Sequence, residues 1–379
     1  MKFPILLFVL CSFLSFSQQT ITASITHDAL QRDYILYVPA NYTGTTAVPL
    51  VFNFHGYTSN ATEQMWYGDF RAIADTAGFI IVHPEGTLNA GEQFFNAGWG
   101  TSTVDDLGFT SALIDSLLLD YNIDESRIYS TGMSNGGYMS FYIACNLSDR
   151  FAAVGSVTGA MATPSMASCN PTHSTPIIQI HGTADATVNY NGTAFSSESI
   201  QSILNYWSNY NNTDATAITT SVPNTNTTDG CTAQKIAYLN GDDCTEVVHY
   251  KITGGGHTWP GAPVTIGVTN QDFNASIEIW KFFSRFDING LRANCSLSTK
   301  DLGLATELVE VYPNPTNSII SVEGKIDQPT EYVVYSVLGE KLMEGNISET
   351  NRAIDISNLN ANVYYLKIEN QTIKVLKVD

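Results

Sequence analysis

Arg127-Ile128-Tyr129-Ser130-Thr131-Gly132-Met133-Ser134-Asn135-Gly136-Gly137 is the stretch on which the fold turns. Arg127 to Ser130 reads as a buried strand, and the residues after Ser134 are compatible with a helix ending near Cys145. Between them Gly132-x-Ser134-x-Gly136 places a serine at the tip of a tight strand-to-helix turn. The chemistry explains the flanking glycines, because a nucleophile must stand clear of the bend and side chains at 132 or 136 would crowd it. The helix that follows points its unpaired amides, and the positive end of its dipole, toward any negative charge developing at the serine. Taken alone the pentapeptide is equally compatible with a glycine-rich turn and an incidental serine.

Short apolar runs alternate with amphipathic segments from about Asp33 to Phe286. Pro49 to Phe54, Phe79 to Val82, Ala153 to Val157, Pro176 to Ile180 and Val247 to Ile252 read as further buried strands. Val104 to Leu119 and Ile277 to Phe286 read as helices, and Gly78 as the left-handed end of an earlier one. This alternation predicts an α/β fold, a doubly wound and mostly parallel sheet. Asp105 and Asp106 fall in the first turn of the Val104 helix and favour its dipole; a metal site is the weaker reading of that pair. Ser208 to Gly241, rich in Asn, Thr and Asp, reads as loop.

Two strand ends downstream complete a chemical set. The strand Pro176 to Ile180 ends in His181-Gly182-Thr183-Ala184-Asp185, and Val247 to Ile252 ends in Thr253-Gly254-Gly255-Gly256-His257-Thr258-Trp259-Pro260-Gly261. The expected catalytic residues are therefore Ser134 as nucleophile, Asp185 as orienting acid and His257 as base, in the chain order Ser, Asp, His. His181 lies close to its strand end and is read as a loop brace. Upstream, Val51 to Phe54 leads into His55-Gly56-Tyr57, so the backbone N–H groups of Tyr57 and Asn135 are the expected oxyanion donors. Tyr57, Trp99 and Trp259 are candidates for lining a substrate pocket. This chemistry needs neither cofactor nor metal.

The 379 residues suggest more than one domain, and 44% hydrophobic residues allow a sizeable core. A formal charge of −19 argues against nucleic acid or anionic lipid as partner. Met1-Lys2, the apolar run Phe3 to Phe16 and the small residues Ser15 and Ser17 read as a signal peptide over residues 1–17. Export makes disulfides the natural state of sequence-close cysteines, so Cys145 is paired with Cys169 and Cys231 with Cys244, leaving Cys295 single. After a first domain, the α/β one, over residues 18–288 and a polar linker over 289–307, residues 308–379 carry brief alternating strands punctuated by Pro313, Gly339 and Asn360. These predict a small all-β sandwich. A monomer is expected.

Arg32-Asp33-Tyr34-Ile35-Leu36-Tyr37-Val38-Pro39, His55-Gly56, Val104-Asp105-Asp106-Leu107-Gly108-Phe109, Gly132 to Gly137, Phe151-Ala152-Ala153-Val154, His181 to Asp185 and Gly255 to Gly261 together resemble the polyhydroxybutyrate depolymerase-like esterases. That group overlaps the feruloyl and acetylxylan esterases of carbohydrate esterase family one, all α/β-hydrolases. The resemblance covers about residues 30 to 287. It implies a secreted serine esterase using the triad above, acting on feruloyl or acetyl esters of plant cell-wall polysaccharide, or alternatively on polyhydroxybutyrate or a related polyester. It also implies the two disulfides. Tyr57 departs from the small residue or cysteine common after His-Gly, which puts the shape of the acyl pocket in question. A non-catalytic adhesin on a hydrolase scaffold is the rival of another class.

Val311-Tyr312-Pro313-Asn314-Pro315-Thr316, Tyr335-Ser336-Val337-Leu338-Gly339-Glu340, Ile354 to Leu359, Val363 to Ile368 and Lys374 to Lys377 resemble the type A sorting domain of type IX secretion. That resemblance implies the outer-membrane secretion machinery as partner and an extracellular or surface location. Asn362 replaces the glycine usual before the Val-Tyr step. A carbohydrate- or polyester-binding module is the alternative for the same sandwich.

Overall fold

The computed structural model describes residues 18–89, 91–193, 196–292, 310–324, 326, 329–336, 341–368 and 371–378. The expected signal peptide, Cys295 and most of the expected linker lie outside them. The chain divides into two compact units, residues 1–297 and 298–379.

In the first unit the strands are β1 (Gln19–His27), β2 (Leu30–Val38), β3 (Val48–Phe54), β4 (Ile80–Pro84), β5 (Thr87–Asn89), β6 (Glu92–Phe94), β7 (Ile123–Met133), β8 (Ala153–Val157), β9 (Ile177–Gly182), β10 (Ile218–Ser221), β11 (Thr232–Tyr238), β12 (Val247–Thr253), β13 (Phe286–Asp287) and β14 (Gly290–Leu291). The α-helices are α1 (Ala61–Tyr67), α2 (Arg71–Ala77), α3 (Asp106–Asp120), α4 (Asn135–Asn146), α5 (Thr163–Ala167), α6 (Ile200–Tyr210) and α7 (Ala275–Phe283). One sheet runs β1-β2-β4-β3-β7-β8-β9-β12-β11-β10. From β4 to β12 the neighbours are parallel, and antiparallel strands close both edges.

The sheet is covered on both faces, which is why its central strands are apolar throughout. Leu50, Phe52 and Phe54 of β3 face Leu113 and Leu117 of α3, Met139 and Ile143 of α4 and Trp207 of α6. Val51 points the other way, into the layer holding Ala74 of α2 and Ile279 and Phe283 of α7. Helix α3 starts where Asp105 caps it, its side chain accepting the Gly108 N–H at 2.9 Å. Asp106 is buried against Arg32 at 2.5 Å, so the two carboxylates of this turn have separate duties and do not face a common ion. Gly78 does end α2 in the left-handed conformation, with φ 73°.

Ser208 to Gly241 is not the expected loop, since it holds the end of α6 together with β10 and β11. The β10 side chains are all exposed, and β11 buries only the small residues Ala233 and Ala237 inside its span. The hydrophobic alternation that marks a strand is therefore faint there.

The second unit carries β15 (Glu310–Tyr312), β16 (Ile319–Glu323), β17 (Thr330–Tyr335), β18 (Lys341–Ile347), β19 (Ala353–Asp355), β20 (Asn362–Ile368) and β21 (Gln371–Lys377). They form two sheets, β15-β16-β19 and β18-β17-β20-β21. Ile320, Val322 and Ile354 of one sheet share a core with Val334, Leu366 and Val375 of the other. It is a β-sandwich with its own core.

Candidate active site

Strand β7 delivers Ser134 to the sheet's C-terminal edge, where α4 begins at the next residue. Ser134 has φ 54° and ψ −117°, a left-sided conformation that costs an L-residue about 1–3 kcal/mol and persists only where the surroundings impose it. They do so here. A Cβ on Gly136 would lie 2.1 Å from the Phe54 carbonyl oxygen, and one on Gly132 would lie 2.6 Å from the same atom. The two glycines let β3 pass directly beneath the bend.

Asp185 follows β9 and is buried. Its Oδ1 accepts the N–H groups of Thr187 and Val188, both at 2.8 Å. Its Oδ2 accepts from His257 Nδ1 at 2.7 Å and lies 3.3 Å from His181 Nε2. Burial pushes this carboxyl up, but the hydrogen bonds from His181 and His257 outweigh it and hold the group well below the usual carboxylate range. A Cβ on Gly182 would meet the Gly255 carbonyl oxygen at 2.2 Å, so the loops carrying Asp185 and His257 touch only because that side chain is absent. His181 Nε2 also reaches the Val188 carbonyl at 2.8 Å, while Nδ1 faces Gln179 Nε2 at 3.0 Å. It braces the Asp185 turn.

With Nδ1 engaged by the carboxylate, His257 presents Nε2 outward, and its side chain is 19% exposed. Ser134 and His257 line one cleft of about 610 Å³ with Gly56, Tyr57, Trp66, Met133 and Ile266. A second cleft of about 440 Å³ also opens onto Ser134 and is bounded by Asn135, Tyr57, Phe94, Trp99 and Tyr138.

Of the residues that carry the two expected oxyanion amides, Asn135 follows Ser134 directly at the start of α4, and Tyr57 follows Gly56, where a Cβ would lie 3.4 Å from Ser134 Cβ. Asn135 is fixed by its own side chain, whose Oδ1 accepts the Phe95 N–H at 2.7 Å and whose Nδ2 donates to the Phe95 carbonyl at 3.0 Å. The peptide joining Gly56 to Tyr57 is held through its carbonyl, which accepts from His55 Nδ1 at 2.7 Å and from the Ser59 N–H at 3.2 Å. His55 Nε2 accepts the Gly86 N–H at 2.9 Å, which sets the tautomer. Burial lowers the His55 pKa to about 4, so the ring is neutral at pH 7. The sequence signal for this histidine is its place in His55-Gly56, two residues ahead of the Tyr57 amide that it steadies.

Two sequence expectations need correction. Trp259 does not line either cleft: it is buried, donates from Nε1 to Ser276 Oγ at 3.1 Å and packs edge-on to Phe70 at 6.2 Å. The chain turns inward after His257, so this ring fills the core. Trp99 does stand in the second cleft, its ring 4.5 Å from that of Tyr138.

Cys145 and Cys169 are disulfide-bonded, with Cα atoms 4.7 Å apart. Cys231 and Cys244 are not joined: Cys231 is a buried thiol, whereas Cys244 is disulfide-bonded. The reason is β11, whose 7 residues separate the two cysteines. An extended strand of that length spans about 23 Å, whereas a disulfide needs Cα atoms within about 7 Å.

Among the described residues, His27, Asp28 and Asp105 bring one potential ligand atom each within 4.8 Å of one another. Asp105 already caps α3, and two of the three are exposed.

Residues 104–228 match the family described as phospholipase/carboxylesterase, a span holding Ser134 and Asp185 and ending before His257. Residues 310–378 match the family described as secretion system C-terminal sorting domain. A bifunctional acetylxylan esterase/xylanase of Neocallimastix patriciarum is 25% identical over 260 residues, covering 68% of this chain and 34% of that protein. Feruloyl esterase B of Piromyces equi is 31% identical over 163 residues, 42% of this chain and 30% of its own. A probable feruloyl esterase C of Aspergillus clavatus is 33% identical over 171 residues, 42% of this chain and 57% of its own. The chain thus spans about a third of the length of the first two relatives. The solved acetyl xylan esterase from Aspergillus awamori superposes with a TM-score of 0.50 at 17% identity, covering 71% of this chain and 99% of that one, a likeness of fold. The fold is that of the α/β-hydrolases, joined to a sorting domain that marks the protein for the cell exterior or surface.

Proposed function

We propose that the protein is an exported serine carboxylesterase acting on polymer-linked esters, namely feruloyl or acetyl esters of plant cell-wall polysaccharide. The observation that carries this reading is the 2.7 Å bond from His257 Nδ1 to a buried Asp185, with His257 and the strained Ser134 facing the same cleft. In this reading His257 Nε2 takes the Ser134 proton as Oγ attacks the ester carbonyl. The oxyanion is met by the N–H groups of Tyr57 and Asn135. His257 then protonates the departing alcohol, and water, activated by the same base, releases the acid from the acyl-enzyme. Asp185, kept ionised, holds His257 in the tautomer this cycle needs. The relatives that are feruloyl and acetylxylan esterases support the substrate class.

A polyester depolymerase is the second reading, favoured by the exposed apolar side chains Trp66, Val264 and Ile266 on the larger cleft. The sandwich, in this account, is an address read by the secretion machinery. Hydrolysis of methyl ferulate, acetylated xylan and polyhydroxybutyrate film by the purified chain decides among these. Turnover of methyl ferulate or acetylated xylan with none on the film is expected, and the reverse order would overturn the polysaccharide reading.

A further inference from the structure

We infer that His181 is a positioning residue that extends the enzyme's working range toward lower pH, by taking a share of the Asp185 carboxylate that orients His257. The inference rests on the reading of His257 as base and Asp185 as orienting acid, and it gives a second histidine a part in setting that base.

Asp185 is a crowded acceptor. An ionised carboxylate offers about four lone-pair positions, and the donors around this one fill them. Thr187 and Val188 supply their N–H groups to Oδ1, while His257 Nδ1 and His181 Nε2 both reach Oδ2, at 2.7 and 3.3 Å. The His257 side chain is partly open to the cleft, whereas that of His181 is fully buried. Gln179 settles which nitrogen of His181 carries the hydrogen. Its Nε2 donates to the Gly159 carbonyl at 2.8 Å, which fixes the way the amide points, and the same nitrogen faces His181 Nδ1 at 3.0 Å. Nδ1 therefore accepts and the hydrogen lies on Nε2, shared between the Val188 carbonyl at 2.8 Å and Asp185 Oδ2.

An N–H aimed at Oδ2 draws on the negative charge that would otherwise hold a proton on His257. The imidazolium is then favoured less than beside an undivided carboxylate, and the free base persists to lower pH. The other titratable groups nearby do not supply this effect. Tyr190 lies edge-on to His181 with ring centroids 5.9 Å apart, and Tyr138 feels the Asp185 charge; burial pushes both phenols up to about 12, so both stay neutral where a histidine titrates. On β12, burial lowers the His249 pKa to about 3 and keeps that ring neutral too, and Lys251 Nζ stands 5.8 Å from the Tyr190 ring centre.

The test is the pH profile of kcat/KM on methyl ferulate, from initial rates of the purified full chain kept at neutral pH and diluted into each assay buffer. His181→Asn removes the donor at the Nε2 position, and His181→Gln keeps one there. The acid limb should move up by about half a pH unit or more in His181→Asn and return toward wild type in His181→Gln. Tyr190→Phe, which keeps the ring beside His181, should leave the limb in place. If His181→Asn fails to fold, His181→Phe fills the same space without the donor and should give the same upward shift. A lower kcat with an unmoved acid limb in the variant lacking the donor, or a limb displaced equally in His181→Gln, would reduce His181 to a structural brace and overturn the inference. A wild-type kcat/KM flat from about pH 5 to 8 would instead remove the reading of His257 as base, and the inference with it.

Discussion

Mild acid should destabilise the hydrolase unit far more than its surface charges suggest, because three histidines are buried in neutral form. His55, His83 and His249 are fully buried, and burial lowers their pKa values to about 4, about 3 and about 3. His249 shows why protonation is unwelcome: Nδ1 donates to the Gln179 carbonyl at 3.0 Å, and Nε2 sits 2.9 Å from the Tyr190 hydroxyl, which donates to it. An unfolded histidine titrates near 6.5, so the unfolded chain binds more protons than the folded one as pH falls below that value. Stability is thus complete above about pH 6.5 and lost on the way down toward each folded pKa. From pH 7 to pH 5 each ring costs on the order of 2 kcal/mol, and the three together roughly 5 kcal/mol. That rivals the whole stability of many domains, about 5–15 kcal/mol. Asp185 does not offset this, since its depressed carboxyl loses its contribution only below about pH 4. Urea unfolding at pH 7 and pH 5, followed by tryptophan fluorescence, measures the loss. The 5 tryptophans, Trp66, Trp99, Trp207, Trp259 and Trp280, all lie in the first unit, so the signal reports that unit alone. His249→Gln should reduce the pH dependence by about a third. A stability equal within about 1 kcal/mol at the two pH values would refute the reasoning.

Other outcomes follow from individual contacts. His55→Gln should lower kcat by about 10- to 100-fold with little change in KM, because the peptide bearing the Tyr57 N–H loses its anchor, whereas His55→Asn, with a donor near the Nδ1 position, should keep more activity; equal kcat in all three proteins would dismiss the positioning role. Mass mapping of unreduced protein should join Cys145 to Cys169, find Cys231 as a thiol and link Cys244 to Cys295; a Cys231–Cys244 peptide would contradict the strand argument. Deleting the sorting domain should leave kcat/KM on methyl ferulate unchanged while the native host retains the enzyme inside its outer membrane, and normal export of the truncated chain would refute the address role.

The elements that position the serine were legible because their signals are local and strong. Strands β3, β7, β8, β9 and β12 are buried on both faces, so they read as apolar runs, and the residues at their C-terminal ends are the ones that meet in space. Less legible were features whose signal is weak or depends on distance. Strand β11 buries alanines, and β10 buries nothing. The pairing of Cys231 with Cys244 looked natural by sequence separation, but a strand makes thirteen residues a long way apart. Trp259 neighbours His257 in sequence and yet turns into the core, while Trp66 of α1 and Ile266, further along the same β12–α7 loop, reach the cleft. Sequence proximity does not report side-chain direction.

The most direct test of the account is covalent trapping. The purified protein is treated with a fluorophosphonate, the adduct is located by peptide mass mapping, and the rate of Ser134→Ala on methyl ferulate is measured beside it. The expected result is one adduct per chain, on Ser134, and a loss of at least about 1,000-fold in kcat for a variant that folds normally. An adduct on another residue, or a folded Ser134→Ala protein keeping about a tenth of the wild-type rate, would contradict it.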